Sequence, residues 1–194
     1  MASRAGSWIG IVSGLMLGAC LCLGGSPAWA GNPGPFSWLV PAPAPTGWKH
    51  ISIPSGDGVL SYPPSLARIG SDSFSVSVAK RDQSGTIHVY LNATPQQGAE
   101  RLSNWRTFRI SHNRLISDAV REHAAGVGLR FLGAKGSCVI DDYLSRVHVH
   151  HYREIACFVQ GRTKASVIVA AALDSEWTRA APLLERAVSA YRAR

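Results

Sequence analysis

Alternating apolar and polar residues predict a series of short β-strands along most of the chain. Phe74, Val76 and Val78 alternate with small polar residues, and the residues from 86 to 92 repeat the alternation through Ile87, Val89 and Leu91. This period of two is typical of strands with one buried face. The same reasoning predicts further strands at residues 48–53, 59–62, 120–131, 137–146, 150–160 and 164–173. The last of these contains an uninterrupted apolar run at 167–172, which suits a central strand.

Two segments show helical spacing instead. The first is predicted from Thr94 to about Arg114, because Thr94, Pro95 and Gln97 resemble a capping box with proline at the first helical position. The second closes the chain, with apolar residues at three- and four-residue steps: Trp177, Ala181, Leu184, Val188 and Tyr191. Either this helix begins near Thr178, which places Pro182 in the first turn, or it is kinked at the proline.

The order of strands, helix, strands and helix predicts the fold class. It favours an α+β domain in which an antiparallel sheet is packed by helices. Residues 31–47 contain five prolines and are predicted to form a tether or an extended arm. A single domain is therefore expected at residues 48–194.

The first thirty residues are predicted to be a secretory leader. Arg4 is followed by an apolar run of 16 residues, Trp8 to Leu23, and Ala28-Trp29-Ala30 provides small residues at a cleavage site after Ala30. A second interpretation stays open, because Leu17-Gly18-Ala19-Cys20 resembles a bacterial lipobox in which Cys20 is lipidated. No other long apolar run follows, so a membrane anchor is expected only if Cys20 carries a lipid.

The cysteines favour the plain leader. Cleavage after Ala30 removes Cys20 and Cys22 and leaves an even pair, Cys138 and Cys157, which an exported chain is expected to oxidise to a disulfide. The predicted location is therefore outside the cytoplasm, either secreted, periplasmic or in the cell envelope, or lipid-anchored at the membrane surface under the second interpretation. The formal net charge is +8 and the excess of arginine over lysine hints at a bacterium with G+C-rich DNA. Because the arginines are scattered and no basic cluster alternates with aromatics, nucleic acid is not an expected partner.

A disulfide between Cys138 and Cys157 would fix the register of the hairpin that contains them. If the two cysteines face each other across antiparallel strands, Ile140 meets Ile155, Asp142 meets Arg153 and Tyr143 meets Tyr152. These are favourable cross-strand pairs, apolar with apolar, acid with base and aromatic with aromatic. Since the cysteines alone set this register, the agreement is an independent check on the pairing.

The same register brings two acids together. Asp141 then faces Glu154, and like charges directly opposite each other are destabilising. The stretch Arg146–Cys157 also carries histidines at His148 and His150. Three interpretations stay open: a surface that is solvated or neutralised by arginine, a partner-binding patch, and a metal site formed by Asp141, Glu154, His148 and His150. The first is favoured, and no cofactor is predicted.

The chain resembles the PsbP-like family of α/β/α sandwiches over residues 48–194. The resemblance lies in a first strand led by Trp48, a short strand that ends in Tyr62-Pro63-Pro64-Ser65-Leu66, a hairpin over 143–159 followed by Gly161 and an apolar strand, and a closing helix over 177–191. The pair after that helix departs from the family pattern, because Ser189-Ala190-Tyr191 stands there. The resemblance implies the fold, and it implies a role in binding or assembly rather than catalysis, since most members act in that way.

No enzyme motif accompanies this resemblance. The sequence has no G-x-S-x-G nucleophile elbow, no phosphate-binding P-loop and no H-E-x-x-H zinc motif. The expected function is therefore that of an exported, non-catalytic accessory protein that binds a protein or another envelope component through its sheet edge or its histidine-bearing hairpin. Metal binding by that hairpin is the alternative, and a hydrolase is the least favoured.

Overall fold

The protein is described by a computed structural model, which covers residues 32–70, 72–146 and 149–194. The leader, its cleavage after Ala30 and the lipobox at Cys20 lie outside these residues and stay predictions. No helix in the described part of the chain is long and apolar enough to span a membrane.

A seven-stranded antiparallel sheet forms the centre of the fold. Its strands are β3 (Ala67–Ile69), β4 (Val76–Arg81), β5 (Ile87–Pro95), β6 (Ser117–Phe131), β7 (Ala134–Ser145), β8 (His151–Gln160) and β9 (Ala165–Leu173). Their spatial order is β3-β4-β5-β9-β8-β7-β6. The most apolar strand, β9, therefore lies at the centre, as its run of apolar residues predicts.

A smaller sheet and one helix cover the first face of this large sheet. The small sheet contains β1 (Lys49–Ser52), β2 (Gly58–Tyr62) and β10 (Arg192–Ala193), and the helix is α2 (Trp177–Ser189). Leu60, Leu184 and Val188 are fully buried against apolar residues of the central strands, and together they form the main hydrophobic core. Pro182 lies inside α2 rather than in its first turn.

The second face of the large sheet is covered by α1 (Trp105–Ile116), which packs over β6, β7 and β8. Trp105 is buried against Phe158, and its indole N–H donates to the carbonyl of Ala156 at 2.9 Å. With helices on opposite faces of one sheet, the chain forms the single α+β domain and the α/β/α sandwich that the sequence predicts.

The predicted start of the first helix is wrong. Thr94 and Pro95 end β5, where Thr94 lies opposite Val167 and Pro95 lies opposite Ser166. Pairing with the central strand β9 outweighs the local capping signal, and the chain then forms a loop closed by Glu100, which accepts a hydrogen bond from the N–H of Gly98 at 2.6 Å. The helix begins eleven residues later than Thr94, at Trp105.

The proline-rich segment packs on the domain instead of leaving it. Phe36 and Leu39 are buried in the main core, and the ring of Phe36 lies so close to Gly126 that a Cβ there would come within 2.9 Å of it. The side-chain amide of Asn32 donates to the carbonyl of Arg130 at 3.1 Å and accepts from its N–H at 2.7 Å. Core residues thus occur before Trp48, the predicted first residue of the domain, and Asn32 occupies part of the outer edge of β6.

Candidate functional site

The disulfide and the hairpin register are as the sequence predicts. Cys138 and Cys157 are bonded, and their Cα atoms lie 4.1 Å apart in directly opposed positions of β7 and β8. The pairs Ile140 with Ile155, Asp142 with Arg153 and Tyr143 with Tyr152 all occur in this register. Both cysteines face the main core, so every second residue of the hairpin faces α1 instead.

Asp141 and Glu154 lie opposite each other on the face under α1, and both side chains are fully buried. Two residues of α1 meet them. Arg109 donates two hydrogen bonds to Glu154, from Nε to Oε1 and from Nη2 to Oε2, both at 2.7 Å. Asn113 donates from Nδ2 to Oδ2 of Asp141 at 2.8 Å and to Oε1 of Glu154 at 3.1 Å. We call these four residues the buried charge cluster.

The two acids of the cluster differ in protonation. Burial raises the pKa of Asp141 to about 8, and the negative charge of Glu154 adds to the effect. Burial also opposes ionisation of Glu154, but the charge and hydrogen bonds of Arg109 outweigh it and hold the pKa of Glu154 below its usual value. Oδ1 of Asp141 is buried without a donor among the described residues. A proton on Asp141 at neutral pH therefore removes the repulsion and provides a hydrogen bond to Glu154.

This geometry corrects the interpretation in which Asp141 and Glu154 belong to the protein surface. They are neutralised by arginine, as one interpretation holds, but they are buried and are not exposed to a partner. Arg109 occupies both oxygens of Glu154, which disfavours a metal at that carboxylate. Among residues 32–70, 72–146 and 149–194, no group of three or more His, Cys, Asp or Glu side chains is arranged to hold a metal. His148 lies outside the described residues.

Arg109 and Asn113 were not among the predicted site residues, although their spacing in the sequence carries a signal. They lie four residues apart on α1, and each is one turn from the next along the same helix face as Trp105. Asn113 is buried although polar. Polar residues that share a helix face with the buried Trp105 indicate polar partners on the sheet.

An open groove of about 570 Å³ lies on the same face of the sheet as α1. It crosses the strands from β3 and β4 to β7, and its walls include three tyrosines. We call it the tyrosine groove, defined by Ile69, Arg81, Tyr90, Tyr143, Tyr152 and Ala171. In the strand pairing, Tyr90 lies opposite Ala171 and Ala171 lies opposite Glu154, so the groove adjoins the buried charge cluster.

The tyrosines of the groove are held in place. The rings of Tyr143 and Tyr152 stack with centroids 6.0 Å apart, and His150, which also lines the groove, contacts Tyr152 edge-on at 6.4 Å. The hydroxyl of Tyr152 donates to the carbonyl of Ile87 at 3.0 Å. Burial raises the pKa of all three tyrosines, so the groove presents neutral, fixed aromatic rings. Of the predicted patch residues that the structure describes, which are Asp141, His150 and Glu154, only His150 lines the groove.

Comparison with solved structures identifies the class of fold. Cyanobacterial PsbP (CyanoP) from Synechocystis sp. PCC 6803 matches with a TM-score of 0.55 and 11% identity over 78% of this chain and 95% of that chain. The chain therefore has the PsbP-like fold. Looser matches, both with a TM-score of 0.46, are a protein of unknown function from Pseudomonas aeruginosa (8% identity, 76% of this chain and 97% of that chain) and LpqN, involved in cell envelope biogenesis of Mycobacterium tuberculosis (10% identity, 74% and 88%). No family model and no curated protein matches the sequence.

A pH-dependent stability follows from the buried charge cluster. In the unfolded chain Asp141 titrates near the ordinary aspartate pKa of 3.8, whereas in the folded protein its pKa is about 8. Between these values the folded state binds more protons, so the free energy of unfolding falls as the pH rises, by up to about 1.4 kcal/mol per pH unit. We expect Asp141→Asn, which keeps a donor to Glu154, to remove this slope between pH 6 and 8.5 in urea unfolding.

The matched control is Asp118→Asn on β6, whose exposed carboxylate contacts Arg146 and no histidine among the described residues, and which leaves the buried pair intact. His88, whose pKa is raised by Glu176 and Asp82, also contributes a fall in stability with rising pH. This contribution is common to wild type and both variants, so their difference isolates Asp141. An Asp141→Asn protein with the wild-type slope would show that Asp141 is ionised throughout this range.

Proposed function

We propose that this protein is exported and acts without catalysis as an accessory protein that binds a protein partner outside the cytoplasm. The observation that carries this proposal is the tyrosine groove. Fixed tyrosine rings are a common feature of protein-binding surfaces, because they bury large areas at a small cost in side-chain entropy. The disulfide between the only cysteines that follow the predicted leader supports an oxidising location.

The groove is a better binding surface than the sheet edges. The edge strand β3 is only three residues long, and the other edge strand, β6, has three irregularities in its register. Asn32 additionally occupies the backbone groups of Arg130 near the end of β6. Short, bulged and covered edges are features that prevent pairing with another strand. We therefore favour the groove, to which the predicted hairpin contributes Tyr143, His150 and Tyr152.

The function can be tested by photo-crosslinking in the source cells. A benzophenone amino acid replaces Thr86, which lines the groove. In the control protein it replaces Arg121, which is exposed on β6 at the far edge of the sheet. We expect a discrete protein adduct from position 86 alone, in the exported fraction. Adducts of the same kind from both positions, or none from position 86, would contradict binding through the groove.

A further inference from the structure

Arg81 places an exposed positive charge, without a salt bridge among the described residues, at the β4 end of the tyrosine groove. Among the described residues, no acid lies within salt-bridge distance of its guanidinium, although several other arginines have such partners. The carboxylate of the adjacent Asp82 is held instead by hydrogen bonds from Ser84 and the N–H of Thr86 and by a contact with His88. Arg81 is exposed and lines the groove.

The neighbouring buried charge cluster does not balance Arg81. At neutral pH the cluster contains one arginine, one carboxylate and one protonated acid, and its hydrogen bonds are internal. The tyrosines of the groove are neutral, and His150 lies towards the end opposite Arg81, on the β7–β8 side. A ligand of this groove is therefore expected to carry a negative charge at the β4 end.

The middle of the groove is suited to an apolar or aromatic group. Ala171, which lines the groove from the central strand β9, has a small side chain between Tyr90 of β5 and the strand β8. Tyr152 reaches across this strand to the carbonyl of Ile87. Aromatic rings held in this way bind another ring or an apolar side chain without losing much conformational freedom.

The length of the groove fits an extended peptide. It runs from β4 across β5, β9 and β8 to β7. Strands in a sheet lie about 4.8 Å apart, so this path spans about 19 Å, which is the length of roughly six extended residues. The path crosses the strands, so a bound peptide would be read by its side chains rather than added to the sheet as a strand.

We propose that the tyrosine groove binds an extended acidic segment of a partner protein, in which a carboxylate pairs with Arg81 and an aromatic or large apolar side chain packs near Ala171 between Tyr90 and Tyr152. This inference rests on the proposed function and names the chemistry of the partner. Arg81 is then the residue that selects acidic sequences, and the tyrosines provide most of the contact area.

The test begins with selection of random octapeptides displayed on phage against the immobilised, disulfide-bonded protein. We expect enrichment of Asp or Glu within three positions of an aromatic residue. A selected peptide is then synthesised in two forms, with the acid and with the corresponding amide, and each is titrated by fluorescence polarisation. Arg81→Met is expected to weaken binding of the acidic form at least tenfold and to leave binding of the amide form unchanged.

Arg121→Met is the matched control, because Arg121 is an exposed arginine at the opposite edge of the sheet with no salt bridge among the described residues. It should bind both peptides as wild type does, and unfolding curves should show that both variants fold. Selected peptides without acids, no selection at all, or equal binding by Arg81→Met and wild type would overturn the inference. If the inference is overturned but position 86 still crosslinks to a partner in cells, only the acidic nature of the partner segment is wrong. If position 86 does not crosslink either, the proposed function is wrong as well.

Discussion

Arg109→Met is expected to lower the free energy of unfolding by about 3–5 kcal/mol at neutral pH, because it leaves the buried carboxylate of Glu154 without its counter-charge. Both hydrogen bonds that the Arg109 guanidinium donates go to Glu154, whose side chain is fully buried. Without Arg109, burial raises the pKa of Glu154 above its unfolded value. The loss should therefore be smallest near pH 5 and should grow as the pH rises. Urea unfolding at several pH values measures it.

Arg106 provides a control on the same helix. It lies three residues before Arg109 and also donates to a glutamate on the sheet, with its Nε 2.9 and 3.0 Å from the two oxygens of Glu122. Arg106 is exposed, however, so Arg106→Met should cost far less stability than Arg109→Met. The double variant Arg109→Met with Glu154→Gln should regain much of the loss, because it removes the buried charge. Equal losses from Arg106→Met and Arg109→Met would contradict this account of the cluster.

Replacement of both Cys138 and Cys157 by alanine should destabilise the protein by about 3 kcal/mol. The bond closes a loop with a sequence separation of 19, and chain-entropy arguments give a cost of that size for releasing it. Both cysteines are fully buried in the main core, so the lost sulfur atoms add a packing term in the same direction. Guanidinium unfolding under non-reducing conditions measures the difference.

The reductant dithiothreitol provides the control for this second expectation. It should lower the unfolding midpoint of the wild type and leave that of the double alanine variant unchanged. Because the paired positions on the other face of the hairpin hold the acids Asp141 and Glu154, the cluster variants should respond to reductant as wild type does. A wild type with the same midpoint in the presence and absence of reductant would show that the bond contributes nothing to stability.

The hairpin shows how far sequence reasoning can reach. Two cysteines and the rule that opposed residues share a face were sufficient to give the register and to place Asp141 opposite Glu154. The first helix shows where such reasoning fails. Thr94 and Pro95 have the local chemistry of a helix start, yet they belong to β5, because pairing with β9 is a long-range interaction that no local pattern records.

The candidate site depended even more on tertiary structure. Arg81 and Tyr90 belong to consecutive strands, but Ala171 lies far from both in the sequence, and only the strand order places β9 beside β5 to complete the groove. The burial of Asp141 and Glu154 was likewise not visible in the hairpin itself. It results from the position of α1, which supplies Arg109 and Asn113 from more than 25 residues away in the chain.

The sequence by itself determined the strand periodicity, the central position of the apolar strand, the α+β class and the disulfide register. These features follow from local alternation and from one covalent constraint, both of which are written in the order of residues. Tertiary structure decided which face of the hairpin is covered, which acid keeps a proton, that the proline-rich arm packs on the core, and where a groove stays open. These features depend on contacts between distant segments and on the exclusion of water from them, and both arise only when the sheet and its helices are assembled.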